Sequence, residues 1–296
     1  MQSSKTLLIT GVSSGFGRAL AEEALAVGHR VVGTVRSTQA RRDFESRSAG
    51  GASGRILGVT DFDAIEGIVE EIETSVGPID VLVNNAGYGH EDIMEESPLS
   101  EMRRQFDVNV FGAVAMMKAV LPFMRPRRRG HILNVTSMGG FITMPGIVYY
   151  CGSKFALEGI SDALSKEVEH LGIAVTAVEP GSFRTDWAGR SMKRTPRCIP
   201  DYDEVFDPLR KARADKSGKQ LGDPRKAARA MLAAIAADNP PNHLLLAGDA
   251  LGLVRGRLSA LEDEIREWEA VTLSTDGAST AQMVRAILFR DNHGDH

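Results

Sequence analysis

Residues 6–28 read TLLITGVSSGFGRALAEEALAVG, and the order of run, turn and stripe in this stretch sets the fold. The apolar run 6–10 suits a strand buried on both faces, and residues 15–28 carry helical periodicity that closes on Gly28. Three glycines in the turn between them have separate physical tasks. Gly11 permits a tight turn, Gly15 lets backbone N–H groups approach a pyrophosphate, and Gly17 lets helix and strand pack closely. The spacing is G-x-x-x-G-x-G, so the turn alone leaves an ordinary tight connection open.

The same alternation continues outward. Residues 29–35, 55–59, 79–85, 131–137 and 172–180 read as further strands, with helical patterns over 61–77, 99–124 and 148–171. Strict β–α alternation with doubly apolar strands predicts an α/β fold, a Rossmann-type doubly wound parallel sheet with helices on both faces. Ligands of such a sheet sit beyond the carboxyl ends of its strands, so the loops at 10–17, 36–38, 84–89, 137–146 and 180–222 share one rim. The last third differs. Residues 186–222 are charged and proline-punctuated and read as a mobile substrate lid, while 223–238 and 250–271 look helical around a short strand at 243–248. The expected organisation is a single domain over 1–296, with a core of about 5–248 and a C-terminal helical extension over 249–296, polar beyond residue 288.

With 43% apolar and 25% charged residues, the 296-residue chain has material for a sizeable core. A formal net charge of −4 argues against a nucleic-acid partner. Cys151 and Cys198 have neither disulfide-framework nor metal-ligand spacing, and no metal site is expected. No run approaches a membrane span and no signal peptide is evident, so a cytoplasmic setting is expected. The run Arg125-Pro126-Arg127-Arg128-Arg129 reads as a targeting or phosphate-binding patch or as a solvated turn; it precedes a strand, which favours the turn.

Residues 148–154, VYYCGSK, pose a chemical question. Lys154 lies four residues after Tyr150 and shares its helix face, whereas Tyr149 has Ser153 in that place. An ordinary tyrosine, with pKa near 10, is a poor acid or base at neutrality.

Taken with TGVSSGFG (10–17), NNAG (84–87), Asn109 in DVNVFG, Ser137 in NVTSMGG and PGSFRT (180–185), the Tyr150-x-x-x-Lys154 pair resembles the short-chain dehydrogenase/reductase family of compact type. Hydroxysteroid and retinol dehydrogenases are among the members it is similar to, and the resemblance spans about residues 5–248. It implies a catalytic group of Asn109, Ser137, Tyr150 and Lys154. Tyr150 would exchange the proton, Ser137 would bind the substrate oxygen, and Asn109 would anchor a water-mediated relay to Lys154. Bringing the phenol to neutrality requires about 4 kcal/mol, which a lysine ammonium about 4 Å away and an oxidised nicotinamide would supply. Tyr149 is left to the core or pocket wall, and Cys151 to packing.

The resemblance also implies a dinucleotide held by Gly11, Ser13, Ser14, Gly15, Phe16, Gly17, Arg36, Asn85, Ala86, Gly87, Tyr150, Lys154, Pro180, Gly181, Phe183 and Thr185. Two positions depart from the family pattern. Val35 stands where NAD-selective members carry an acid, followed by Arg36 and Ser37, so NADP(H) is favoured and NAD(H) stays open. Gly58 replaces an adenine-contacting aspartate, and Asp61 reads as a helix cap.

The implied activity is interconversion of a secondary alcohol and its ketone, both small molecules. Met138, Phe141, Ile142, Met144, Phe183, Trp187 and Met192 either form an apolar pocket for a bulky substrate or pack as a lid. The extension, including Trp268, either covers that pocket or mediates assembly into a homo-oligomer. The alternatives are a catalytically silent nucleotide sensor or scaffold on the same fold, and a sugar-nucleotide epimerase or dehydratase. The complete Asn-Ser-Tyr-Lys set speaks against the sensor, and NNAG against the epimerase.

Overall fold

The computed structural model describes residues 4–47, 50–185, 187, 189, 191–216 and 218–277. The polar tail beyond residue 288 lies outside the described residues. In chain order the elements are β1 (Thr6–Ile9), α1 (Gly15–Ala26), β2 (Arg30–Val35), α2 (Thr38–Glu45), β3 (Ala52–Ile56), α3 (Phe62–Ser75) and β4 (Val81–Asn84). There follow β5 (Gly89–Glu91), α4 (Leu99–Phe106), a π-helical turn Asp107–Phe111, α5 (Gly112–Arg127), β6 (Gly130–Val135), α6 (Val148–Val168) and β7 (Ile173–Pro180). The last are β8 (Met192–Arg194), α7 (Asp203–Asp215), α8 (Pro224–Ala236), β9 (His243–Leu246), α9 (Gly248–Glu267) and α10 (Glu269–Leu273).

Seven strands form one sheet in the order β3-β2-β1-β4-β6-β7-β9, every pair parallel. The order reverses between β1 and β4, which opens a crevice where α1 begins. Alternate residues of each strand feed opposite cores. Leu7 and Ile9 of β1 pack with α1 and α8 through Leu20, Ala24, Met231 and Ile235. Leu8 faces the other layer, with Ile65, Val69 and Ile72 of α3 and Met116, Val120 and Met124 of α5. Such side chains, all essentially buried, each contribute about 1.5–3 kcal/mol.

The chain divides into two compact units, Met1–Leu253 and Val254–His296. The first holds the sheet and its helices; in the second, α9 continues to Glu267 and α10 follows.

Several local expectations shift. The third strand covers 52–56 rather than 55–59, because its ladder with β2 runs from Val31↔Ala52 to Val35↔Ile56. Leu57 and Val59 then turn inward as core beyond the ladder. Asp61 occupies the N-cap position of α3 but makes no side-chain cap bond. Leu99–Arg127 is long and apolar enough to cross a membrane by length and composition, with mean hydropathy 1.4, yet Met116, Val120 and Met124 lie in the core.

The segment expected as a lid forms, through its described residues, long-range contacts with the rest of the first unit. Its β8 pairs with β5, and its α7 seats Phe206 on Gly146, where a Cβ would fall 2.0 Å from the ring. Glu91, fully buried, accepts from Arg194 Nε at 2.6 Å and Arg213 Nη1 at 3.0 Å. Glu96 accepts from Arg197 Nε at 2.6 Å and from the Cys198 amide at 2.8 Å. These partners lie about a hundred residues apart, beyond the reach of local periodicity. The arginine run is structural: Arg127 grips Glu73 at 2.6 and 3.0 Å, Arg128 donates to the His170 carbonyl, and Arg129 reaches Asp80 at 3.2 Å.

Candidate active site

The glycine turn is held from three sides. Gly11 N–H donates to Thr34 Oγ1 at 3.1 Å, and the Asn85 and Ala86 amides donate to Thr10 Oγ1 at 3.0 Å each. Asn85 Nδ2 donates to the Thr10 and Gly11 carbonyls at 2.9 and 3.0 Å. Thr10 and Thr34 were not singled out in the sequence, although a threonine closing an aliphatic strand beside a glycine turn is a readable signal. Gly11 and Gly15 take positive φ of 73° and 59°, the left-handed region that favours glycine.

Ser14 is the N-cap of α1 but forms no side-chain cap bond, and Ser13 is exposed. The α1 N-terminus thus presents uncapped amides to the crevice, as a pyrophosphate requires. Thr185 is the nearest neighbour of Gly15, 4.0 Å from its ideal Cβ, so the loop after β7 faces the glycine turn. Gly181 N–H bonds the Leu246 carbonyl at 2.9 Å, which fixes the Pro180-Gly181 exit. Arg36 is exposed and, among the described residues, makes no hydrogen bond or ion pair. Ser37 Oγ accepts from Ala40 N at 3.2 Å as the cap of α2, so its hydroxyl proton remains to offer. These features fit a nicotinamide dinucleotide.

Tyr150 and Lys154 lie one turn apart on α6, each only 6% exposed, with Lys154 Nζ 5.7 Å from the Tyr150 ring centroid. The ammonium donates to the Val135 carbonyl at 2.8 Å, leaving two donors free. Burial raises the Tyr150 phenol above its ordinary value, opposed by hydrogen bonding to Ser137 and Trp187. Burial also lowers Lys154 to about 8, opposed by the Glu158 carboxylate. The near-neutral phenol is expected of Tyr150 with both Lys154 and an oxidised nicotinamide beside it; in the protein alone, burial dominates. Ser137, 8% exposed, stands at the N-cap of the short turn 138–140 with Oγ accepting from Gly139 N at 3.0 Å.

Asn109 sits in the π-helical turn, whose wider winding re-aims a side chain inward. Oδ1 accepts from Tyr88 N at 3.1 Å, and Nδ2 donates to Tyr88 O and Ser153 Oγ, each at 3.0 Å. Its side-chain amide is thus committed to the 88 loop and α6. An ideal Cβ on Gly87 would lie 3.2 Å from Asn109 Oδ1 and 3.8 Å from Lys154 Nζ, so Gly87 brings the two groups to one point. Ser153 is an added positioning residue, and its place at i+3 from Tyr150 is legible once the helix face is chosen. Tyr149 faces away, donating to Ser97 O at 2.8 Å.

The expected apolar pocket is divided. Met144 and Trp187 gather with Ile147 on Tyr150, the Trp187 ring 5.1 Å from the phenol ring. Phe183 instead packs edge-on to Phe16 at 5.0 Å in the core, and Phe141 packs on His243 at 5.6 Å. An open, mostly apolar groove of 550 Å³ is lined by Ile93, Met94, Glu95, Pro145, Gly146, Val148 and Tyr202.

Comparison with known proteins agrees with this geometry. The short chain dehydrogenase family matches residues 5–195. A 3-ketodihydrosphingosine reductase of Bacteroides thetaiotaomicron is 38% identical over 79% of this chain and 85% of its own length. An NADPH-dependent 3-dehydrocapnine reductase of Ornithobacterium rhinotracheale is 35% identical over 69% of this chain and 75% of its own. The crystal structure of a short-chain dehydrogenase from Streptomyces avermitilis superposes with TM-score 0.87 at 39% identity, covering 93% of this chain and all of that one. A Burkholderia phymatum short chain dehydrogenase/reductase in complex with NAD gives TM-score 0.76 at 25% identity, over 88% and 95% of the two chains. The chain belongs to the short-chain dehydrogenase/reductase family, as an oxidoreductase for alcohol- or ketone-type substrates that uses a nicotinamide cofactor.

Proposed function

We propose that this chain is an NADPH-dependent reductase that converts a bulky apolar ketone to its secondary alcohol. The observation that carries the cofactor reading is the end of β2. A carboxylate there would bond the adenosine ribose hydroxyls and repel a 2′-phosphate; Val35 is buried instead, and the next side chain is the exposed, unengaged Arg36. Its planar guanidinium suits a phosphate, with the Ser37 hydroxyl beside it. The NADPH-dependent relative supports this choice.

The catalytic group supports reduction. A phenol raised by burial keeps its proton, the form a general acid needs, and Ser137 lies within its hydrogen-bonding environment to receive a substrate oxygen. When bound, the cofactor supplies the hydride and, once oxidised, a positive charge beside the phenol. Lys154, with two unused N–H donors, holds ribose hydroxyls and replenishes the proton, and Asn109 keeps the 88 loop and α6 in register around it. Met144 and Trp187 beside Tyr150 support a hydrocarbon-rich substrate, as does the 3-ketodihydrosphingosine of the relative's name.

The test is cofactor affinity. Wild type is expected to bind NADPH more tightly than NADH in a fluorescence titration, and Arg36→Ala to weaken NADPH by roughly 1.5–3 kcal/mol while barely changing NADH. Tighter binding of NADH by wild type overturns the cofactor assignment.

A further inference from the structure

Away from the catalytic hydroxyl, three side chains from three elements converge. Glu158 lies on α6, eight residues past Tyr150 and so about 12 Å farther along the helix axis. Glu179 is the penultimate residue of β7, and His243 opens β9. The β7–β9 ladder pairs Ala177 with His243, and Glu179, two residues beyond Ala177, projects from the same face. One donor atom from each residue lies within 4.8 Å of the others. His243 Nδ1 is 2.7 Å from Glu179 Oε1 and 3.5 Å from Glu158 Oε2.

The carboxylates are short of partners. Glu179 is fully buried and Glu158 is 7% exposed. Glu179 Oε1 is hydrogen-bonded to His243 Nδ1, while Glu179 Oε2 and both Glu158 oxygens lack a well-aligned donor; Thr136, whose hydroxyl bonds the Val178 carbonyl, is the polar side chain beside Glu158. Burial holds both carboxyls above the usual carboxylate range. Lys154, one turn back on α6, acts on Glu158 through its charge but makes its hydrogen bond to the Val135 carbonyl. Open lone pairs in a buried site are costly unless a proton or a cation meets them. A proton bridges two atoms, whereas this site presents three donors to one point.

We propose that Glu158, Glu179 and His243 form a site for a divalent transition-metal ion of the zinc class. An ion about 2.0–2.2 Å from each of three ligand atoms holds them roughly 3–4 Å apart, so the observed spacings need only small adjustments. The imidazole nitrogen in the set disfavours magnesium and calcium, which take oxygen donors. The His243 side chain is 43% exposed, which provides an entry path and room for water as a fourth ligand. The edge-on ring of Phe141 limits rotation of the imidazole. The ion has a structural role: it ties α6, β7 and β9 together just before Pro180-Gly181 leads toward the cofactor crevice.

The test uses the full chain, stripped with a chelator and titrated with cobalt(II), whose visible absorption reports coordination, followed by zinc(II) competition and thermal melts. One cobalt ion should bind per chain and be displaced by zinc, which should also raise the melting temperature. His243→Ala and Glu179→Gln should each abolish the absorption band and the zinc-dependent shift, while Cys198→Ala should leave both intact. His243→Ala alters a half-exposed side chain, so it carries the test if Glu179→Gln fails to fold. No cobalt uptake at millimolar concentration, or uptake unchanged in His243→Ala, overturns the proposal.

Discussion

Replacing Gly17 by alanine tests whether the crevice is as tightly built as its contacts imply. An added Cβ would stand 2.4 Å from Asn85 Nδ2 and 2.5 Å from the Gly11 carbonyl oxygen. Neither neighbour is free to yield. Asn85 Nδ2 donates to the Thr10 and Gly11 carbonyls, and the Gly11 oxygen is backbone in a turn with φ of 73°. Making room disrupts both bonds, at about 1 kcal/mol each. Overpacking adds roughly 1–3 kcal/mol, and the helix preference for alanine returns up to about 1 kcal/mol. The net expectation is a loss of about 3 kcal/mol and a melting temperature lower by about 6–12 °C. Displacing Asn85 also shifts the amides that meet the pyrophosphate, so dinucleotide affinity should fall at least about tenfold, equivalent to 1.4 kcal/mol. Thermal unfolding and a nicotinamide fluorescence titration read the two effects. Gly58→Ala is the control: nothing lies within 4 Å of its ideal Cβ, so stability should stay within about 0.5 kcal/mol. A Gly17→Ala protein that melts with the wild type and binds cofactor equally well would refute the clamp.

Tyr150→Phe should lower turnover by roughly 10²–10⁴-fold with cofactor binding nearly unchanged. Tyr149→Phe should cost about 1 kcal/mol of stability through the lost bond to Ser97 and leave turnover nearly intact; equal catalytic losses in the two variants would mean the wrong helix face carries the chemistry. His131 is buried, bonded to Thr176 at 2.8 Å, and lowered by burial to about 4. Between about 6.5 and 4 the unfolded chain takes up a proton that the folded chain refuses. The stability present above pH 6.5 should therefore fall by about 3 kcal/mol from this residue as the pH drops toward 4. Urea titrations should show a shallower decline for His131→Asn, and parallel curves would show that His131 titrates normally.

The elements that carry the chemistry were legible because their signals are local. The run 6–10, the glycine turn and the stripe behind it each obey a short-range rule, and Tyr150 with Lys154 needs only the helical repeat. The bounds of β3 were not legible, since they depend on which residues of β2 stand opposite. The ion pairs that tie residues 192–215 down were hidden for the same reason, as Glu91 and Glu96 find their arginines about a hundred residues away. The partners of Asn109 were not legible either: Tyr88 and Ser153, distant in sequence, hold the side chain that the π-helical turn aims inward.

From its sequence alone this protein has a determined layer order, a rim on which ligands must gather, and a set of groups able to move a proton and hold a dinucleotide. The layer order and the rim follow from periodicity and turn chemistry, which act over a few residues, and the set of groups from the motifs' resemblance to the family. The tertiary structure alone decided how far each group is desolvated and what it touches. Burial raises the Tyr150 phenol and lowers Lys154 to about 8, and it leaves Glu179 Oε2 and the Glu158 carboxylate short of donors beside His243. Desolvation and pairing are set by atoms brought together from distant parts of the chain, and no short stretch of sequence contains them.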